Sequence, residues 1–314
     1  MVARLMQRWI GRILGEFMNA SADFSEIPPF EMFTGPNGQS VPFVFNSPHS
    51  GRHYPPRFLA MSRLDSLSIR RSEDCYVDEL FFAAVHVGAA FLCANFPRAY
   101  LDANREPWEL DPRMFQEKVP PFANIHSPRV AGGLGTVPKL VADGLDIYQQ
   151  RLPLAEAISR IEQFYRPYHA TLSELLSRTR STFGHAVLVD CHSMPRNIRV
   201  TQGGIRPDII IGDRFGTSAS SDFTRLAVSL LAAKGYTVEL NRPYAGGFIT
   251  EHYGRPAEKI HALQIEVNRG LYMDDQSLER TDNFPVLVRD LTEFVADFVD
   301  ISRDFLPIVP LAAE

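Results

Sequence analysis

The chain has 314 residues, 45% hydrophobic and 22% charged, and a formal net charge of −5. Such composition is ordinary for a globular protein with a sizeable core. The mildly acidic balance argues against a nucleic-acid partner, which would require a basic stripe, and no apolar run approaches the ~20 residues that span a bilayer.

Cys75, Cys93 and Cys191 are an odd, sparse set without short spacing. They argue against a disulfide framework or a zinc ribbon and fit a reducing, cytoplasmic setting. The opening segment is basic and amphipathic, with Leu5, Trp9, Ile10, Ile13 and Leu14 at helical spacing. It lacks the h-region and cleavage site of a signal peptide, and reads as a peripheral helix or as an over-long start with Met18 as the alternative initiator. Residues 1–39 form a partly irregular extension, with Pro, Gly, Ser and Asn concentrated over 20–41.

The run VPFVFN at 41–46 predicts a buried strand, ending in the loop Ser47-Pro48-His49-Ser50-Gly51. Residues 63–88 predict helix, first over LDSLSIRR and then over VDELFFAAVHVG, and strands are expected at 89–95 and 98–103. Residues 105–145 are the least regular stretch, and loops of that length are usually functional. From 147 to 182 the pattern is helical, with Leu154, Ile158, Ile161, Tyr165, Tyr168, Leu172 and Leu175 on one stripe. Pro153 suits a first turn, and Pro167 predicts a kink or break. Strands are predicted at 185–190, 208–213, 237–241 and 262–267, with helices at 221–234, closed by Gly235, and at 283–304. The alternation predicts an α/β fold: one domain over 40–314, its mixed, mostly parallel sheet flanked by helices.

In open α/β sheets, function gathers at the carboxyl ends of strands. That rule selects His49, Asn104-Arg105, Asp190-Cys191-His192-Ser193 and Glu266. Two histidines from separate strand ends plus a carboxylate form the ligand set of a catalytic zinc site with an open position. The carboxylates nearest His49 in sequence are Glu73, Asp74 and Asp78, and spacing does not choose among them. A single histidine of this kind is more often a hydrogen-bonded core residue. Arg105 can hold a carboxylate bidentately, or form a structural ion pair with Glu106, Glu109 or Asp111. Glu266 lies in an apolar strand, as buried bases do, or pairs with Arg269. No Gly-x-Ser-x-Gly elbow supports a serine hydrolase, and the glycines at 132, 133 and 135 read as a flexible loop.

Taken in order, SPHSG (47–51), SEDCYVDELF (72–81), YLDANREP (100–107), GLGTVP (133–138), DGLDIY (143–148), VDCHSMP (189–195), GGFITEHYGRP (246–256) and ALQIEVNRGLYMD (262–274) resemble the N-formylglutamate amidohydrolase family. The resemblance implies a zinc-carboxypeptidase-like (phosphorylase/hydrolase-like) α/β fold and one zinc ion held by His49, Asp74 and His192. It implies Asn104 and Arg105 as substrate residues and Glu266 as catalytic glutamate. The wider carboxypeptidase group has a His-x-x-Glu pair that is missing here, which bears on the carboxylate ligand.

The expected reaction is hydrolysis of N-formyl-L-glutamate to formate and glutamate, in histidine breakdown. Glu266 would act as base, and Arg105 would stabilise the oxyanion or hold a carboxylate. Arg242, Arg255 and His252 are candidate cations for the second carboxylate, and Tyr253 a candidate hydroxyl. The partner expected is a small-molecule substrate, without nucleic acid or membrane, and the sequence leaves the oligomeric state open. Iron, cobalt or manganese would also suit two histidines and a carboxylate. Rival readings are a zinc hydrolase of another N-acyl amino acid or short peptide, and a non-catalytic binder of an acidic amino acid.

Overall fold

A computed structural model describes residues 27–141, 144–198 and 206–305. The amphipathic helix expected in the first twenty residues lies outside them. The chain forms two compact units interleaved along the sequence. One comprises Met1–Phe30, Gly51–Glu73 and Ala94–Ala170; the other comprises Glu31–Ser50, Asp74–Cys93 and Thr171–Glu314.

The second unit is built on a seven-stranded sheet of order β1-β3-β2-β4-β7-β5-β6. The strands are β1 (Phe30–Phe33), β2 (Phe43–Ser47), β3 (Ala90–Ala94), β4 (Ala186–Met194), β5 (Ile209–Gly212), β6 (Val238–Leu240) and β7 (Ile260–Asn268). β2 lies parallel to β3 and β4, and β4 parallel to β7. β5 runs antiparallel to β7 and parallel to β6. The fold is therefore the expected α/β class with a mixed, mostly parallel sheet flanked by helices. The central strands are buried along nearly their whole length, which explains why β2, β5 and the first half of β4 carry continuous apolar runs.

Alternation along the strands still separates two faces. On one face, Phe43, Phe45, Val187, Val189, Cys191, Leu263, Ile265 and Val267 join a single core cluster. Leu287, Leu291, Phe294 and Phe298 of the C-terminal helix Phe284–Ile301 belong to it, as do Phe223, Ala227 and Leu231 of the helix Ser221–Ala233. Each fully buried Val, Leu, Ile or Phe among them stabilises the unit by about 1.5–3 kcal/mol. The opposite face receives the intervening residues: Asn46, Asp190, His192, Gln264 and Glu266. Register aligns Asn46 with Asp190, Asp190 with Gln264, and His192 with Glu266.

The first unit contains the irregular segment and most of the predicted helical stripe. All seven stripe residues are buried. The helix starts at Leu154, makes a π turn at Ile161–Tyr165 and continues as Arg166–Phe183. The helix runs on through Pro167, and the wide turn ends two residues before this residue, which has no N–H to donate. Arg160 is fully buried, hydrogen-bonded to Glu156, the Tyr148 hydroxyl and the Tyr100 carbonyl, and stacked 4.0 Å over the Tyr100 ring.

Four local expectations are corrected. Residues 98–103 form turns rather than a strand: the Tyr100 N–H bonds to Pro97 O, the Asp102 N–H to Thr136 O, and Arg98 pairs with Asp102. Residues 63–88 are helical in shorter pieces than the two stretches expected, at Ser68–Ser72, Val77–Leu80 and Ala83–His86. The Asp65 side chain takes the N–H groups of Leu67 and Ser68, and Tyr76 adopts φ 66°, so helical hydrogen bonding is interrupted twice. β1 falls in the segment read as irregular. β4 runs past Asp190 to Met194, so His192 is a strand residue rather than a loop residue.

Candidate metal centre

The sheet's carboxyl end places three side chains together within the second unit. β2 leads directly into His49. The Asp74 N–H donates to the His49 carbonyl at 3.0 Å, which fixes the second segment against the first. His192 projects from β4. One ligand atom from each of His49, Asp74 and His192 lies within 4.8 Å of the others, and all three residues are buried.

Asp74 Oδ2 is 2.9 Å from His192 Nδ1 and 3.3 Å from His49 Nδ1. The Asp74 Oδ1 accepts from Ser193 Oγ at 3.2 Å and from Arg269 Nη2 at 3.0 Å, and Arg269 Nε donates to Ser193 Oγ at 3.0 Å. The two oxygens therefore have different tasks: Oδ1 is bound to the protein, and Oδ2 faces the imidazoles. On its other side, His192 Nε2 lies 2.9 Å from Asp190 Oδ2, and Asp190 Oδ1 accepts from Asn46 Nδ2 at 2.7 Å.

Burial alone would raise the Asp74 carboxyl, but hydrogen bonds from His192 and His49 outweigh it and hold it well below the usual carboxylate range. Burial would likewise lower His192; the charge and hydrogen bond of Asp190, with Asp74 beside it, push it well above its ordinary value. Burial also opposes the charge on Arg269, and Asp74 restores it.

The donor set passes the chemical test for a metal. Two Nδ1 atoms and one carboxylate oxygen converge, and the far nitrogen of His192 is oriented by a carboxylate, the outer support of metal-binding histidines. Of the three carboxylates left open by sequence, Asp74 is the one in the cluster. Glu73 is occupied in the first unit, accepting from Tyr54 Oη at 2.6 Å and from Arg70 Nε at 2.9 Å. Asp78 lies in the short helix Val77–Leu80, outside the cluster.

Glu266 stands beside His192 in register on β7. Its Oε1 accepts from Gln264 Nε2 at 2.8 Å. Arg269, named as its alternative partner, instead binds Asp74. Asn104 and Arg105 belong to the first unit. Arg105 donates from Nε to Leu134 O at 2.8 Å and from Nη1 to Asn104 O at 2.7 Å, with Nη2 3.3 Å from Asp102. Its ion-pair partner is thus Asp102 rather than Glu106 or Asp111. Burial lowers its pKa to about 10, which leaves it charged at neutral pH. Among the late-segment candidates, Arg242, His252 and Arg255 are exposed and Tyr253 is buried. His252 stacks on Phe248 and Arg255 lies 4.0 Å from Glu258. Burial, with the Arg255 charge, lowers His252, and burial raises the Tyr253 phenol.

Sequence reasoning did not single out Asn46 or Gln264, placed Asp190 and Ser193 among the strand-end residues without a specific role, and offered Arg269 only as a partner of Glu266. Asp190 and Gln264 carried a usable signal, since each sits two residues before His192 or Glu266 and so on the same strand face. Asn46 carried none, because its pairing with Asp190 depends on strand order.

A family model described as N-formylglutamate amidohydrolase matches residues 41–273. N-formylglutamate deformylase of Pseudomonas aeruginosa is 30% identical over 240 residues, 76% of this chain and 84% of that protein. The same-named protein of Pseudomonas putida is 31% identical over 241 residues, 75% of this chain and 83% of its own. The crystal structure of N-formylglutamate amidohydrolase from Ralstonia eutropha superposes with a TM-score of 0.84 at 36% identity, covering 89% of this chain and all of that one.

Proposed function

The chain belongs to the N-formylglutamate amidohydrolase family and is a hydrolase of an amide bond, and from that premise we propose that it removes the formyl group of N-formyl-L-glutamate with the help of one zinc ion. The observation that carries the metal part is the buried convergence of His49 Nδ1, Asp74 Oδ2 and His192 Nδ1 beside Glu266. The products are formate and glutamate, which fits a step in histidine breakdown.

His49, Asp74 and His192 would hold the ion. Zinc there would supply Lewis acidity toward the formyl oxygen and make water a stronger acid. Glu266 takes a proton from the attacking water and delivers it to the leaving amine nitrogen as the C–N bond breaks. Asp190 keeps the His192 ring oriented through Nε2, and Ser193 with Arg269 keeps Asp74 presenting Oδ2. Arg105 binds a substrate carboxylate or the developing oxyanion: three of its five N–H groups are directed to Leu134, Asn104 and Asp102, which leaves one on each terminal nitrogen. Asn104 assists it, and Arg242, His252, Tyr253 and Arg255 are the candidates for the remaining polar groups of the substrate.

Release of the free amino acid, with formate or acetate as the coproduct, from N-formylglutamate, N-acetylglutamate and N-formylaspartate each given alone to purified protein tests this reading. Rapid release from the first alone, lost on chelation and restored by zinc, is the expected result. Bound stoichiometric zinc without release from any of the three would assign the centre to another amide substrate.

A further inference from the structure

We infer that Gln264 is a positioning residue for Glu266, a role that rests on the proposed function of Glu266 as the base. Gln264 and Glu266 occupy alternate positions of β7 and therefore share a face of the sheet. Gln264 is buried, and its carboxamide makes two hydrogen bonds. Its Oε1 accepts from the Gly247 N–H at 2.7 Å, and its Nε2 donates to Glu266 Oε1 at 2.8 Å.

The chemistry of the partners fixes the orientation of this amide. A backbone N–H can only donate, so the oxygen of Gln264 must face Gly247. The nitrogen must then face Glu266, whose carboxylate can only accept. No flipped alternative satisfies both ends. The amide is a rigid spacer between a main-chain donor and the carboxylate, and it sets the plane in which Glu266 presents its oxygens. Gly247 is the N-cap of the helix Phe248–Tyr253. Gly246 before it has φ 117°, a conformation that favours glycine, and a Cβ there would meet Thr250 at 3.1 Å. The position of the base is thus tied to a turn whose shape depends on glycine, in the segment that also carries His252, Tyr253 and Arg255.

The test compares Gln264→Met, Gln264→Glu and Glu266→Gln, singly and with each Gln264 variant combined with Glu266→Gln, in zinc-analysed full-length protein. Methionine keeps the length of the side chain and removes both hydrogen bonds. Glutamate keeps its shape but puts a carboxylate where Glu266 needs a donor. The expected result is a kcat lowered about 10- to 100-fold in both Gln264 variants, the scale of a misplaced catalytic group. KM should change less than about threefold and zinc content should stay at wild type. In the Glu266→Gln background the Gln264 substitutions should have no further effect, because residues that act as a unit are not additive. Wild-type kcat in both Gln264 variants alongside an inactive Glu266→Gln overturns the positioning role and leaves the base assignment intact. So does an undiminished further loss in the double variants. Near-wild-type turnover by Glu266→Gln overturns the base assignment, and the role of Gln264 with it.

Discussion

Replacing Arg269 with methionine tests how the centre is held together when no metal is bound. The guanidinium is buried, with a side-chain exposure of 8% against 1% for Asp74, and it donates to Asp74 Oδ1 and Ser193 Oγ at 3.0 Å each. Methionine keeps much of the apolar stem and removes the charge. Asp74 then keeps a carboxylate that burial penalises, with its Oδ1 bonded to Ser193 alone. Removing one partner of a buried ion pair costs about 3–5 kcal/mol, and losing the charge-assisted hydrogen bond alone accounts for about 1.5–3 kcal/mol. Urea unfolding in the presence of a chelator should therefore show Arg269→Met less stable than wild type by about 3–5 kcal/mol. A divalent cation at Oδ2 compensates the same charge from the other side, so in excess zinc the deficit should shrink to about half or less. A deficit below about 1 kcal/mol in chelator would refute the claim that Arg269 and Asp74 are an interdependent buried pair. An equal deficit with and without zinc would refute the claim that the ion and Arg269 act on the same charge.

Three further outcomes follow from the same geometry. Asp190→Asn keeps the shape of the side chain but weakens the support of His192 Nε2, so zinc affinity measured against a chromophoric chelator should fall about 10- to 100-fold with the fold intact; unchanged affinity would remove Asp190 from the centre. Gly51→Ala would place a Cβ 2.1 Å from the Phe96 carbonyl oxygen, so the backbone beside His49 must move; both the thermal midpoint and the zinc content should drop, and wild-type values of both would contradict the close approach. His261, at the amino end of β7, is held by burial and the nearby His185 at a pKa of about 4, against about 6.5 in an unfolded chain. Between those values the unfolded chain binds a proton that the native state does not, so stability should fall as pH drops from about 6.5 towards 4. Chemical unfolding at several pH values should show a shallower slope for His261→Gln, and an identical slope would exclude His261 as the cause.

The legible parts of the fold were those governed by local periodicity. The C-terminal helix, the helix Ser221–Ala233 and the central strands stand where the apolar patterns put them. The signal failed where side chains took over backbone hydrogen bonds, as Asp65 does at the start of the broken helical stretch, or where an apolar run such as RAYLDA folded into turns held by Thr136 and Asp102. The strand-end rule picked out His49, His192 and Glu266, which the structure places near one another, because each follows or closes an apolar run. It could not choose Asp74 over Glu73, since that choice is made by Arg70 and Tyr54 engaging Glu73. Nor could it find Arg269 as the partner of Asp74, because 195 residues separate them.

The charge arrangement at the centre argues for a cation independently of any resemblance. Asp74 and Asp190 are completely buried and Glu266 is nearly so. With all three ionised the centre concentrates negative charge, and Arg269 donates to one of the three, Asp74. Burying unpaired charge is too costly to persist without compensation. Without metal, a proton shared by His192 with its two flanking aspartates offsets one of those charges, which is why the imidazole is pushed so far above its ordinary value. A divalent ion would add two positive charges and suit neutral imidazoles, the form in which histidine binds metal. On the proposed reading, Asp74 would then be the charged ligand and Asp190 the outer support of His192.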